Sequence, residues 1–172
     1  EIVKKSPCHL VLVSGAKHGA TEVRPFRRIL VPTNGSYYSD AAFDLAAAYA
    51  ESAGAHISVL YIAESRQHNP LLPGAAVSTF GEHMQDVMRV TLKEQYAERF
   101  KHPERLECYV RVDESVITGL VEEVQRGQYD LVVLGAENKS LVERLYLGQH
   151  IEQAITEVPC ALALVIPRVG TR

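Results

Sequence analysis

The chain reads as an α/β domain, a doubly wound, open, parallel five-stranded sheet with helices on both faces. Three observations predict it. Short β-branched runs alternate with longer stretches of helical period, and strands joined by crossover helices must pair in parallel because each helix returns the chain to the same end of the sheet. Roughly 145 residues follow a Gly- and charge-containing linker, enough for one domain with its own core. Finally, the last predicted strand is announced by Val-Pro-Cys-Ala-Leu-Ala-Leu-Val at 158–165, and Ser-Pro-Cys-His-Leu-Val-Leu-Val at 6–13 says nearly the same thing.

That repeat sets the organisation. Pro7 matches Pro159 and Cys8 matches Cys160, and Leu10, Leu12 and Val13 match Leu162, Leu164 and Val165, at a constant offset of 152 (159 − 7 and 160 − 8). The spacing is that of one ordinary domain. Residues 1–13 are therefore expected to be the C-terminal tail of a preceding repeat, 14–27 a linker, and 28–167 a complete domain. The chain begins at Glu1 rather than Met, which fits a fragment of a longer polypeptide.

The elements follow in order. Arg28 to Pro32 is a short strand. Ser39 to Ala53 carries Ala42, Leu45, Ala46, Tyr49 and Ala50 at helical spacing and stops at Gly54, a C-cap residue. His56 to Ile62 is the second strand. From Thr79 to Phe100, the residues Phe80, Met84, Val87, Met88, Leu92 and Tyr96 form an apolar stripe on a long amphipathic helix, with His83 and His102 in solvent. Between these two elements, Glu64 to Ser78 contains Asn69-Pro70 and Pro73-Gly74 and reads as a mobile loop. Glu107 to Val112 is a strand, Ser115 to Gln125 a helix, and Tyr129 to Leu134 a strand. A helix from near Gly148 to Glu157 precedes the final strand, Ala161 to Ile166.

Composition narrows the function. A formal charge of −3 without any run of Lys and Arg argues against nucleic acid, whose affinity rests on clustered cations. Cys8, Cys108 and Cys160 lack the short paired spacing of metal or redox sites and read as core residues. No apolar stretch is long enough to span a bilayer and no signal peptide is evident. No nucleophile sits in an elbow motif and no His pair has metal spacing, and Asp113 with Glu114 reads as a solvated turn. The sequence describes a binder or scaffold rather than an enzyme.

In doubly wound sheets, ligands bind beyond the carboxyl ends of the strands where strand order reverses. The loop after the fourth strand has Gly135 at its start and Gly148 opening the next helix, an arrangement that can bring backbone amides to a phosphate. Taken with Val31-Pro32-Thr33-Asn34-Gly35-Ser36 and the closing Pro-Cys-x-Leu-x-Leu-Val, the chain from about 27 to 167 resembles the universal stress protein family. The resemblance implies a site at Asn34, Ile62, Leu134, Gly135, Asn138, Gly148, Gln149 and His150. Nucleotide-binding members carry Gly-x2-Gly-x9-Gly-Ser/Thr in this loop and an Asp after the first strand. Here Asn138 replaces the second glycine, Gln149 the Ser or Thr, and Asn34 the Asp. If each altered contact costs about 1 to 2 kcal/mol, affinity falls roughly 10²- to 10⁴-fold. The expectation is a degenerate pocket that demands no cofactor and holds an adenine nucleotide weakly at most.

Other readings stand beside this one. Asn34-Gly35-Ser36 suits a turn and helix cap as well as a ligand contact, and Tyr37 and Tyr38 suit shielding of the helix start or stacking on adenine. Lys139 and Arg144 read as solvated and His150 as capping or packing at the start of the last helix, or the three compensate there, where the helix N-terminus is worth about 0.3 to 2 kcal/mol to an anion. Arg-Arg-Ile-Leu-Val-Pro-Thr-Asn-Gly-Ser is similar to the cytosolic stress-protein domains appended to bacterial cation/proton antiporters. That similarity implies a regulatory or assembly role on the cytosolic face of a transporter membrane domain. The alternative is a free-standing cytoplasmic tandem protein that binds ATP, AMP or a cyclic dinucleotide. Members of the family pair through their last strands, so Leu10 and Leu12 are expected to lie antiparallel against Leu162 and Leu164, in the same chain or exchanged with a second copy, covering an edge that would otherwise invite aggregation.

Overall fold

A computed structural model describes residues 10–12, 24–64, 74–136 and 149–167. Within them the chain forms β1 (Leu10–Leu12), β2 (Arg28–Thr33), α1 (Tyr37–Ala53), β3 (His56–Glu64), α2 (Gly74–Ala97), a 3₁₀ turn (Pro103–Arg105), β4 (Leu106–Asp113), α3 (Val116–Gly127), β5 (Leu131–Gly135), α4 (Gln149–Glu157) and β6 (Ala161–Val165). The sheet order is β1-β6-β5-β2-β3-β4. β2 through β6 pair in parallel, giving the five-stranded sheet that the alternation predicts. Strand order reverses between β2 and β5, so the crevice at their carboxyl ends is the natural ligand position.

The caps show why the helices stop and start where they do. Ser36 and Ser115 each hold an extended backbone and accept from the amide three residues on, Ser39 and Thr118, satisfying a donor that the first turn leaves free. Gly54 ends α1 in the left-handed region at φ 69°, where a side chain would be strained. At the opposite, amino-terminal edge, Asp130 accepts from the amides of Arg27 and Arg28 at 2.8 and 3.1 Å, tying the start of β2 to the turn before β5.

Two apolar layers sandwich the sheet. On one face Ile29, Val31, Ile57, Val59, Val133, Ala163 and Val165 pack with Ala42, Phe43, Ala46 and Ala50 of α1 and Leu92 and Tyr96 of α2. On the other face Leu30, Leu60, Val132, Leu162 and Leu164 pack with Ile117, Leu120 and Val124 of α3 and Ala154 of α4. The alternation of strand residues between the faces follows from the two-residue period of the pleat.

Several expectations are corrected. α2 starts at Gly74 rather than Thr79, so 74–78 is helix and not loop; the remainder of that loop, 65–73, lies outside the described residues. Of the expected α2 stripe, Leu92 and Tyr96 are in the core and Met88 is half-buried, while Met84 and Val87 are 42% and 48% exposed. The packed face of α2 runs along 81, 85, 88, 92 and 96, which are half-buried or buried, and Met84 and Val87 lie outside that helical face. Leu45 is exposed and Phe43 takes its place in the core, because α1 meets the sheet along 39, 42, 43, 46, 47 and 50. Asp113 is half-buried rather than fully solvated, while Glu114 beside it is exposed as expected. The Asp113 carboxylate accepts from Arg111 at 3.0 Å with the side chain 13% exposed. Cys108 is buried as expected, Cys160 is half-buried, and Cys8 lies outside the described residues.

Candidate functional site

The site is built on the turn that leaves β2. Thr33 is the last strand residue and is buried, and its hydroxyl accepts from the Gly35 amide at 3.1 Å. Asn34 then bends back, its Oδ1 accepting from the Ser36 amide at 3.1 Å in an Asx turn. Gly35 takes φ 74° between them. The residue expected to meet a ligand is thus neutral, and its carbonyl oxygen is used inside its own turn.

Behind the turn is a polar network that spacing does not reveal. The Thr33 hydroxyl lies 2.8 Å from the Tyr96 hydroxyl and 3.1 Å from that of Ser39. Tyr96 donates to Asp40 Oδ1 at 3.0 Å. Arg99 then pairs with Asp40 and Asp44, each at 2.8 Å. Burial, with Asp40 alongside, raises the Tyr96 pKa and keeps the phenol protonated, against the lowering effect of the Thr33 bond. For Arg99, burial works against the charge, and the bonds to Asp40 and Asp44 outweigh it and raise its pKa. The one available signal was Tyr96 itself, since a buried tyrosine hydroxyl requires a partner.

The network bears on anion binding. Asp40 sits in the first turn of α1, so the favourable end of that helix dipole already faces a carboxylate. Arg99, the nearby cation, is committed to Asp40 and Asp44. Neither feature is disposed to receive a phosphate.

Gly135 closes the other side of the crevice. A Cβ there would stand 2.0 Å from the Tyr38 carbonyl oxygen and 2.8 Å from the Ser39 nitrogen. The glycine is therefore required by the close approach of the first turn of α1, whatever else the loop does. Ile62 and Leu134 belong to the core layer facing α3 and α4, Ile62 buried and Leu134 half-buried. Tyr37 is exposed, with its ring edge-on to Tyr38 at 5.8 Å. Gln149 and His150 open α4. Asn138, Lys139, Arg144 and Gly148 lie outside the described residues.

A groove of about 420 Å³ lies elsewhere, between α2 and β4, lined by Arg89, Val90, Lys93, Glu94, Leu106, Glu107, Cys108 and Tyr109. It follows the amino-terminal half of β4, away from the strand ends. Lys93 crosses it to donate to the carbonyls of Pro103 and Leu106. Among the described residues no group of three His, Cys, Asp or Glu is placed to hold a metal, and no helix is long and apolar enough to cross a membrane.

The profile of the universal stress protein family matches residues 25–165. A universal stress protein of Methanocaldococcus jannaschii is 25% identical over 147 residues, 81% of this chain and 82% of that protein. The solved structure of the universal stress protein UspA from Lactobacillus plantarum aligns at TM-score 0.62 and 24% identity, over 85% of this chain and 100% of that one. An Arabidopsis thaliana member of the family with AMP bound aligns at TM-score 0.52 and 16% identity, over 83% of this chain and 93% of that one. At such identities the two structures speak for the fold alone.

Proposed function

Because the chain belongs to the universal stress protein family, we propose that it is a non-catalytic regulatory or assembly domain whose adenine-nucleotide pocket has degenerated. One observation carries the reading. Asn34 stands where nucleotide-binding members carry an Asp, and its Oδ1 is occupied by the Ser36 amide at 3.1 Å. A ligand would meet a neutral amide, one acceptor site of which is already used, where a carboxylate is expected, at a cost of about 1 to 3 kcal/mol. The Asp40–Arg99 pair supports the same conclusion, since it withholds the neighbouring cation.

The AMP-bound relative from Arabidopsis thaliana makes adenine nucleotides the first ligands to try. A thermal-shift panel of ATP, ADP, AMP and cyclic dinucleotides tests the proposal. A ligand at 100 times its dissociation constant stabilises the fold by about 2.7 kcal/mol, so millimolar nucleotide would register clearly for a low-micromolar site. The expected result is little or no shift with ATP. A shift of that full size would sink the degenerate-pocket reading.

The parent polypeptide is part of the proposal. We read residues 1–13 as the end of a preceding repeat, and the pair as the cytosolic portion of a cation/proton antiporter-like transporter, in which the domain assembles or regulates subunits. A free-standing tandem protein in the cytoplasm is the alternative. Long apolar segments in sequence upstream of residue 1 would favour the first, and their absence the second.

A further inference from the structure

β4 ends the sheet on the side away from β1, and among the described residues β3 is its only strand neighbour. An eight-residue strand with an open edge invites a further strand unless something guards it. Glu107, Arg111 and Asp113 read at first as such guards. Their order says more. Side chains alternate across the pleat, so these three share one face of β4 with Tyr109, while Leu106, Cys108, Val110 and Val112 share the other. Val112 is 46% exposed on that second face, and Val90 of α2, in the groove beside Leu106 and Cys108, is 52% exposed. A second β4 can be added with two-fold symmetry only about an axis normal to the sheet. Opposite residues must then point to the same face, so the axis passes through a residue and not between two. An axis at 108 sets Arg105 against Arg111, one at 110 sets Glu107 against Asp113, and axes at 107 or 111 set Glu107 or Arg111 against itself. An axis at Tyr109 alone among these opposes unlike charges throughout: Glu107 faces Arg111, and Arg105 faces Asp113, each twice by symmetry.

We propose that the β4 edge is a self-recognition surface, and that its partner is the β4 edge of a second copy of this chain, antiparallel and two-fold about Tyr109. The charges are arranged for it. Arg111 gives three of its five N–H donors to Asp113, Glu122 and Glu123, so its guanidinium is oriented in advance and keeps donors for Glu107 of the other copy. Glu107 is exposed and free to reach it. On the other face Leu106 meets Val112 and Cys108 meets Val110, which covers Val112 and brings it beside the groove where Val90 is exposed. A contact of this isologous kind closes as a dimer and does not propagate. Like charges directly opposite are destabilising, so the same residues that specify this register reject the neighbouring ones. The inference goes beyond the nucleotide reading and does not rest on it, because it concerns a lateral edge of the sheet and not the strand ends.

The test uses the full chain in a background carrying Cys8→Ser, Cys108→Ala and Cys160→Ser. Directly opposite positions on antiparallel strands lie within disulfide reach, and a dimer formed at any other edge leaves position 109 unlinked. Under mild oxidation, Tyr109→Cys is expected to give a covalent dimer that increases with protein concentration. Glu107→Cys should stay monomeric, because its opposite neighbour is residue 111 and its own copy lies about 13 Å along the strand. Adding Glu107→Lys to Tyr109→Cys sets Lys against Arg111 twice and should lower the dimer yield roughly tenfold. Circular dichroism on each variant establishes that the fold is intact. Should Tyr109→Cys not fold, photo-oxidative coupling of tyrosines in the unaltered chain, with the linked peptides identified by mass spectrometry, reads the same contact as a 109 to 109 link. Three outcomes overturn the proposal: no link at position 109 by either route, equal dimer from the 107 and 109 cysteine variants, or a yield unchanged by Glu107→Lys.

Discussion

Gly135 illustrates how one residue can look functional for a structural reason. Glycine at the end of a strand suggests a phosphate loop, yet here the missing Cβ makes room for the Tyr38 carbonyl, which would stand 2.0 Å from it. Gly135→Ala should cost about 1 to 3 kcal/mol, the usual range for overpacking a close contact, read as a lower urea midpoint with unchanged slope. If stability is unaffected, the first turn of α1 can retreat from β5 and the glycine is free for another role. Asn34 is the converse case. Spacing located it just beyond the carboxyl end of β2, while its capture by the Ser36 amide depends on a backbone turn that sequence suggests without choosing between turn and ligand. The Thr33 to Tyr96 bond joins residues 63 apart, and no local pattern encodes a pairing at that range.

At the scale of elements, legibility follows from local chemistry. β2, β3 and β6 were evident as β-branched or apolar runs, and α1 from its C-cap at Gly54, whose backbone role the structure shows, while the structure adds Ser115 as the N-cap of α3. The start of α2 was missed because Pro73-Gly74 reads as a turn, although Ala75, Ala76 and Val77 continue as helix. Periodicity found the α2 stripe but misplaced its edge, since the packed face runs along 81, 85, 88, 92 and 96 and leaves Met84 and Val87 exposed. The thiols of β4 and the turn before β6 yield a pH prediction. Burial pushes Cys108 and Cys160 from 9.0 to about 11, so the unfolded chain releases these protons first as pH rises. Their contribution is fully present below about pH 9 and is lost as pH climbs toward 11. The urea midpoint should fall through that window, and less steeply in Cys108→Ala. An identical slope in the variant would mean that Cys108 stays protonated to the same degree in both states.

For the whole molecule, the fold class was the most legible feature, because alternation of strand and helix leaves few topologies open. The five parallel strands, two faces and switch point between β2 and β5 all match it. The candidate site was legible only as an address. Its polar network joins residues brought together from β2, α1 and α2 by tertiary packing. Under the proposed function, the residues at the three signature positions, Asn34, Asn138 and Gln149, make the pocket a weak site for adenine nucleotides. Isothermal titration of ATP into the unaltered chain and into the triple variant Asn34→Asp, Asn138→Gly, Gln149→Ser tests it most directly. The account predicts no saturation at low micromolar ATP for the former and a gain of roughly 10²- to 10⁴-fold for the latter. Low-micromolar saturation of the unaltered chain, or no gain in a triple variant whose melting shows it folded, would contradict it.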